Sequence, residues 1–201
     1  MLKILGLIKL IIFRLLGKRI YFSMRTYIHP SVRIKMQKNS TLNLKGSRIM
    51  KNTQIILKEN ANATIGSQTA VLENSHIELD ENSNLEINEK TFFNRDCKVY
   101  CSNLIKIGYN NAFGPGVIII DSDHILKRKE DEKYVNWSIF KSKPIIIGNN
   151  NWFGAYVTIL KGTKIKDENI IGAMTLIKKE IESRTIIYDE RNIKIIKKDL
   201  I

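Results

Sequence analysis

Cut into sixes from Ile147, the chain reads IGNNNW, FGAYVT, ILKGTK, IKDENI, IGAMTL and IKKEIE. Every leading position, Ile147, Phe153, Ile159, Ile165, Ile171 and Ile177, is large and apolar, and Gly148, Gly154 and Gly172 each follow one. Val157, Thr163 and Thr175 share the fifth position. A period of six fits neither the 3.6-residue helix nor a two-residue strand alternation, but it fits short strands separated by corners in a parallel solenoid. Asn and Gly suit those corners because both enter positive φ at low cost. The same phase recurs upstream at Ile65, Val71 and Ile77, at Ile87, Phe93 and Val99, and at Ile107, Phe113 and Ile119. Small insertions shift the phase between these pieces, as expected where extra residues leave a solenoid at a corner. A single hexad cannot bury its leading side chain, so stability requires stacked coils.

Two segments break the pattern. The opening MLKILGLIKLIIFRLLGKRIYF is apolar, yet Lys3, Lys9 and Arg14 interrupt it before the roughly 18–20 uncharged residues of a simple membrane span accumulate. Lys3, Arg14 and Lys18 fall near one face of a helical wheel while Leu5, Ile8, Ile12 and Leu16 lie largely on others, which predicts an amphipathic helix within residues 1–25. Two readings stay open: a helix lying in a bilayer interface, or one packed on protein. The second break lies between Ile119 and Ile145, where the segment is polar, rich in Lys and free of Gly. It reads as a loop, residues 120–144, projecting from the solenoid, and loops on rigid scaffolds are where reactive residues concentrate.

With 201 residues, 43% of them hydrophobic and 26% charged, the chain suits one domain with terminal additions. Its net charge of +13 suits an anionic partner, but no basic stripe interleaved with aromatics and no nucleic-acid-binding motif appears, which argues against nucleic acid. The two cysteines, Cys97 and Cys101, lack a second pair at zinc-site spacing, so they support neither a metal site nor a disulfide framework.

The stretch IGNNNWFGAYVTILKGTKIKDENIIGAMTLIKKEI resembles the hexapeptide-repeat acyltransferases, including galactoside- and maltose-type O-acetyltransferases and those acting on envelope polysaccharides. The resemblance extends back through FFNRDCKVYCSNLIKIGYNNAFGPGVIIIDSDH and covers Ile87 to Ile187 well. It implies an all-β fold, a left-handed parallel β-helix with three hexads per coil, over residues 26–187, followed by a tail at 188–201. It also implies a homotrimer with active sites between neighbouring prisms. Two features depart from the family pattern: Lys166 replaces an expected Gly, and the closing segment IIYDERNIKIIKK lacks the family's Gly and Pro.

The implied chemistry is transfer of an acetyl group from acetyl-CoA, a co-substrate rather than a bound cofactor, to a saccharide or nucleotide-sugar acceptor. His124 matches the family's general-base histidine. A sugar hydroxyl is a poor nucleophile at neutral pH, and an imidazole of ordinary pKa, about 6.5, can accept its proton. A neighbouring carboxylate can orient such a ring; Asp121 and Asp123 are the local candidates, with Asp121 preferred. Asn94 matches a family asparagine near the reacting groups, and Trp137 is a candidate for stacking on a sugar. On the donor side Trp152, Gly154 and Ala155 match the segment beside the thioester, with the Ala155 N–H as oxyanion donor. Gly172 and Ala173 match positions along the pantetheine arm, and Lys178 and Lys179 match the end of the prism, where ammonium groups meet phosphates. No metal is expected: His29 and His76 read as surface or corner residues, and the close histidine pair of the carbonic anhydrases built on the same solenoid is missing. The resulting expectation is an O-acetyltransferase of bacterial cell-envelope polysaccharide biosynthesis, cytoplasmic, at the inner face of the membrane through residues 1–20. Its rivals are an N-acyltransferase of a nucleotide-linked amino sugar, a serine-type O-acetyltransferase, and a non-catalytic solenoid that binds glycans or serves as a scaffold.

Overall fold

The computed structural model describes residues 1–129 and 132–189, with the side chains of 126–139 outside that description. Among the described residues, strands of mostly two to four residues stack into three parallel sheets of eight, eight and seven strands. The sheets are the three faces of a left-handed β-helix. We call them the first, second and third faces in the order the chain visits them: Leu104–Ile107, Ala112–Phe113 and Ile118–Ile120 are one strand of each.

Coil length changes along the axis. On the first face Arg19 pairs with Thr41, Thr41 with Asn62, Asn62 with Asn84 and Asn84 with Leu104, so these coils run 20 to 22 residues. Downstream Ile146 pairs with Lys164 and Lys164 with Glu180, giving coils of 18 and 16 residues. The expected three hexads per coil therefore hold only near the C-terminal end, because upstream strands on two faces are four residues long. The solenoid also begins earlier than residue 26, at Arg19.

Side chains at alternate strand positions fill the interior, and Ile65, Ile87, Ile107, Ile147 and Ile165 stack on the first face, all buried. Each such isoleucine contributes roughly 1.5–3 kcal/mol of burial. On the second face Phe93, Phe113 and Phe153 form a ladder with ring centroids 4.5 Å apart and planes 10° from parallel. Beside it runs a buried asparagine ladder: Asn111 Oδ1 accepts from Asn151 N at 2.9 Å, Asn151 Oδ1 from Asn169 N at 2.9 Å, and Asn169 Oδ1 from Thr185 N at 2.8 Å. These side chains satisfy corner N–H groups that stacking would otherwise bury without partners. Corners turn through left-handed residues, and Asn39, Asn52, Asn60, Asn74, Asn82, Asn110 and Asn150 all lie at φ between 55° and 59°.

The N-terminal helix, α1 (Leu2–Leu15), covers the first coil. Leu10 is buried in the core, and Gly6 lies against Ile28, whose carbonyl oxygen leaves no space for a Cβ. Lys9 Nζ donates to the carbonyls of Pro30 and Val32, and Lys18 Nζ to that of Met36. The helix is therefore a packing element on one side, while Ile4, Leu5, Ile8, Ile11, Ile12 and Leu15 remain 45–81% exposed on the other.

The segment expected as a loop at 120–144 is an antiparallel ribbon, Ser122–Lys129 against Glu132–Ser142, with a register shift between His124 and Ile125. The strand-forming residues Tyr134, Val135, Trp137, Ile139 and Phe140 account for it.

Candidate functional site

The sequence-derived site residues divide between two edges of the third face. Where the second face turns into the third, the residues after each strand form a column: Asn94, Gly114, Gly154 and Gly172, followed in sequence by Arg95, Pro115, Ala155 and Ala173. This column is narrow for a physical reason. A Cβ on Gly114 would lie 2.7 Å from the Ala155 nitrogen, and one on Gly154 would lie 2.5 Å from the Ala173 nitrogen, so backbone meets backbone there. The Ala155 carbonyl accepts from Met174 N–H at 2.7 Å, while among the described residues no acceptor is hydrogen-bonded to the Ala155 N–H. Trp152, 54% exposed, stands just before the column, and Ala173 is exposed within it. The result is a shallow strip of small residues and backbone amides beside an indole ring. Gly114 was not among the expected residues, although AFGPG repeats the WFGAY pattern and would have given it.

Asp121, His124, Lys178 and Lys179 lie at the opposite edge, where the third face turns back into the first. Asp121 is fully buried. Its Oδ1 accepts from Ser102 N at 2.6 Å, its Oδ2 accepts from Asn103 N at 2.9 Å and Leu104 N at 3.0 Å, and the Cys101 Sγ lies 3.7 Å from Oδ2. The carboxylate thus closes a corner in which the chain turns without N–H partners of its own. Burial raises its carboxyl above the ordinary carboxylate value, against the pull of the three N–H bonds. Burial likewise pushes the Cys97 and Cys101 thiols to about 12, which keeps both protonated and unreactive. Asp123 instead pairs with Lys161, Oδ2 to Nζ at 2.5 Å.

His124 is exposed on the ribbon, its ring tilted 38° against that of Phe140 with centroids 4.5 Å apart. Phe140 sits directly across the ribbon from it. No sequence motif signalled Phe140, because its partner is fixed only by the ribbon's register. Trp137 lies on the Glu132–Ser142 strand, and its side chain falls outside the description. Lys178 and Lys179 are exposed. His29 hydrogen-bonds through Nδ1 to Ser31 Oγ at 2.8 Å, and His76 through Nε2 to Glu78 Oε2 at 3.0 Å. Among the described residues no group of three or more His, Cys, Asp or Glu side chains could hold a metal ion.

The strand separating the two edges, Thr158–Leu160 or Ile118–Ile120, has three residues, or about 10 Å at the usual rise of a strand. Within one chain, His124 and the glycine column therefore stand apart. The two edges carry different chemistry: an exposed imidazole on one, and a narrow strip of small residues and backbone amides on the other.

Residues 144–179 match the family model described as bacterial transferase hexapeptide (six repeats). The galactoside O-acetyltransferase of Escherichia coli is 34% identical over 85 residues, 41% of this chain and 38% of that protein. The galactoside O-acetyltransferase of Lactococcus lactis is 31% identical over 87 residues, 42% of this chain and 39% of that one. The chain thus aligns with less than half the length of these curated relatives. Among solved structures, the polysialic acid O-acetyltransferase OatWY superposes with a TM-score of 0.49 at 23% identity, over 79% of this chain and 84% of that one. An N-acyltransferase from Bacillus cereus, AntD, gives a TM-score of 0.49 at 16% identity, over 92% and 88%.

Proposed function

Starting from a left-handed β-helix that carries the hexapeptide repeats of bacterial transferases, we propose that this chain is an acetyl-CoA-dependent O-acetyltransferase acting on a saccharide hydroxyl in cell-envelope polysaccharide biosynthesis. The observation that carries the reading is the division of groups between the two edges of the third face. The Gly114–Gly154–Gly172 column suits a thin, extended donor such as the pantetheine arm, with Trp152 beside it. The Ala155 N–H faces the thioester oxygen and holds the charge that develops on it. His124 of a neighbouring copy supplies the base, and Asn94, at the head of the column, orients the reacting groups.

The transfer is direct. His124 takes the proton of the sugar hydroxyl, the oxygen attacks the thioester carbon, the C–S bond breaks, and the imidazolium returns its proton to the CoA thiolate. Acetyl-sugar and CoA leave with no net proton change. Because the two half-sites of one chain are separated by a strand, the reaction needs a second copy, and a homotrimer in which each His124 edge meets the next glycine column provides three such sites. Lys178 and Lys179, on the His124 edge, then meet the CoA phosphates of a neighbour. Asp121 acts on His124 through the corner it holds at the ribbon's foot. The outward apolar face of α1, with Lys3 and Arg14 exposed near its ends, lies against the inner surface of the cytoplasmic membrane.

Thiol release from acetyl-CoA in the presence of a panel of sugar alcohols and amino sugars, with sedimentation equilibrium on the same sample, tests this. Acceptor-dependent thiol release by a trimer supports it. Acetylation of amines but not alcohols makes the protein an N-acyltransferase, and failure to bind CoA removes the enzyme reading altogether.

A further inference from the structure

At the foot of the ribbon two adjoining hollows share Lys58, Asp80, Ser102 and Phe140. The larger holds about 370 Å³, within the roughly 300–1,000 Å³ of small-molecule sites. One wall is the Phe140 ring, 45% exposed, which also packs against the ring of His124. The facing wall is a linked polar row. Lys58 Nζ donates to Asp80 Oδ1 at 2.5 Å, Ser102 Oγ donates to Asp80 Oδ2 at 2.5 Å, and the hydroxyls of Ser102 and Ser122 are 2.8 Å apart. Glu78 stands 3.9 Å from Lys58 Nζ and also lines the cleft, with Tyr100 beside it.

Three properties of this cleft point to one ligand class. Paired donors and acceptors set along one wall match the hydroxyl rim of a sugar ring. An exposed aromatic ring opposite them matches the ring's C–H face. Glu78, Asp80 and Glu81 against Lys58 make the cleft acidic in a chain of net charge +13, so an anionic sugar meets repulsion here. The position matters as much as the chemistry, since a ring packed on Phe140 lies beside the imidazole that Phe140 supports.

We propose that this cleft is the acceptor pocket, that it takes an uncharged sugar unit bearing adjacent hydroxyls, and that it discriminates against acidic sugars. The inference rests on the acetyltransferase reading and narrows it, because it names the substrate class and places the acceptor on the same chain as its base.

Saturation-transfer NMR on the full chain tests it with three probes: methyl β-galactopyranoside, N-acetylneuraminic acid and CoA. The wild type is expected to transfer saturation to the galactoside and to CoA but not to the acidic sugar. Phe140→Ala weakens galactoside binding at least tenfold, Phe140→Tyr restores it, and CoA binding is unchanged in both. A purely structural role for Phe140 would instead disturb both ligands together. Glu81→Gln, at an exposed position on the rim of the cleft, raises binding of N-acetylneuraminic acid. Galactoside binding that is indifferent to Phe140→Ala, or equal binding of the acidic and neutral sugars by the wild type, overturns the proposal. If CoA binds and no neutral glycoside does, the pocket assignment falls while the transferase reading stands; if CoA also fails, both fall.

Discussion

The upstream and downstream coils obey one rule inside and different rules outside. In both, buried Ile, Leu, Val and Phe stack in register, and the corner N–H groups find partners in neighbouring coils, with the buried Ser47 hydroxyl left unpartnered among the described residues. At the corner between the second and third faces, however, the upstream coils place His29, Met50, Leu72 and Asn94, while the downstream coils place Gly114, Gly154 and Gly172. The solenoid therefore turns this corner readily with a large side chain. Downstream it turns with none, and at Gly114 and Gly154 the coils approach until a Cβ would strike backbone. Upstream is scaffold, and downstream is scaffold with a strip cut along one edge. The ribbon that carries His124 leaves the solenoid within the downstream part, between the coils of Gly114 and Gly154.

The sharpest break of this comparison is His124→Ala. If the ribbon carries the base, kcat falls by about two to four orders of magnitude, while the trimer and CoA affinity are retained. Steady-state kinetics with a sugar acceptor measures it, and near-normal turnover removes His124 from the mechanism.

Truncating a core isoleucine tests whether the interior rule is shared. Ile55→Ala upstream and Ile159→Ala downstream both remove a fully buried side chain from the third face. Each should cost about 2–5 kcal/mol, the range for cavities left by buried aliphatic residues. Denaturant unfolding of the two variants should give similar losses; a downstream loss near zero would show that the short coils are held by their corners rather than their core.

Ala155→Leu separates outside from inside. Ala155 is only partly buried, so added bulk can point away from the coil. The expected variant melts within a few degrees of wild type and binds acetyl-CoA at least tenfold more weakly, a loss of about 1.4 kcal/mol or more. Titration calorimetry decides: unchanged CoA binding would mean that the donor does not run along the glycine column.

Asp121 gives a smaller, pH-dependent difference. Its folded carboxyl is raised above the unfolded value by burial, so the folded state holds this proton more tightly than the unfolded chain does. That contribution is fully present below the unfolded pKa near ~3.9 and is lost as pH rises through the folded value. Asp121→Asn cannot titrate. The stability difference between wild type and Asp121→Asn should therefore shift against the wild type as pH climbs from about 3.5 through the weakly acidic range, and a flat difference would mean that the corner does not perturb the carboxyl.

The hexad phase from Ile147 onward was enough to read the solenoid, because each leading residue answers to one requirement, burial in a stacked coil. Coil width was not legible upstream: four-residue strands such as Gln54–Leu57 keep two inward residues, and a period of six does not describe them. The ribbon was hidden because its charged residues mask an alternation that cross-strand pairing makes structural. At the candidate site, the glycine column could be read because close backbone approach admits few residues. Asp121 looked like a partner for a histidine because both occur in DSDH, yet three N–H groups from the preceding coil take its lone pairs. Contacts between coils some 20 residues apart are not visible in a local motif. The Phe140 contact and the Lys58–Asp80–Ser102 row were missed for the same reason.

The smallest effect on stability, with a large effect on location, belongs to α1. Its inner side must stay, since Leu10 lies in the core and Gly6 meets the Ile28 carbonyl. Deleting the helix would expose the first coil and confuse two roles. Replacing Ile4, Ile8 and Ile11 with Ser changes only residues that are 45–62% exposed, so each should alter stability by no more than about 0.5 kcal/mol, as is usual for surface positions. If the outward face inserts into a bilayer interface, the triple variant should lose cosedimentation with vesicles containing anionic phospholipid. Lys3→Gln with Arg14→Gln should weaken it more at low salt than at high salt, because screening removes the charge attraction but not the apolar term. If the isoleucine variant instead binds vesicles as well as wild type but no longer forms the proposed trimer, the apolar stripe is covered by a second copy. The cap would then belong to the assembly rather than to the membrane.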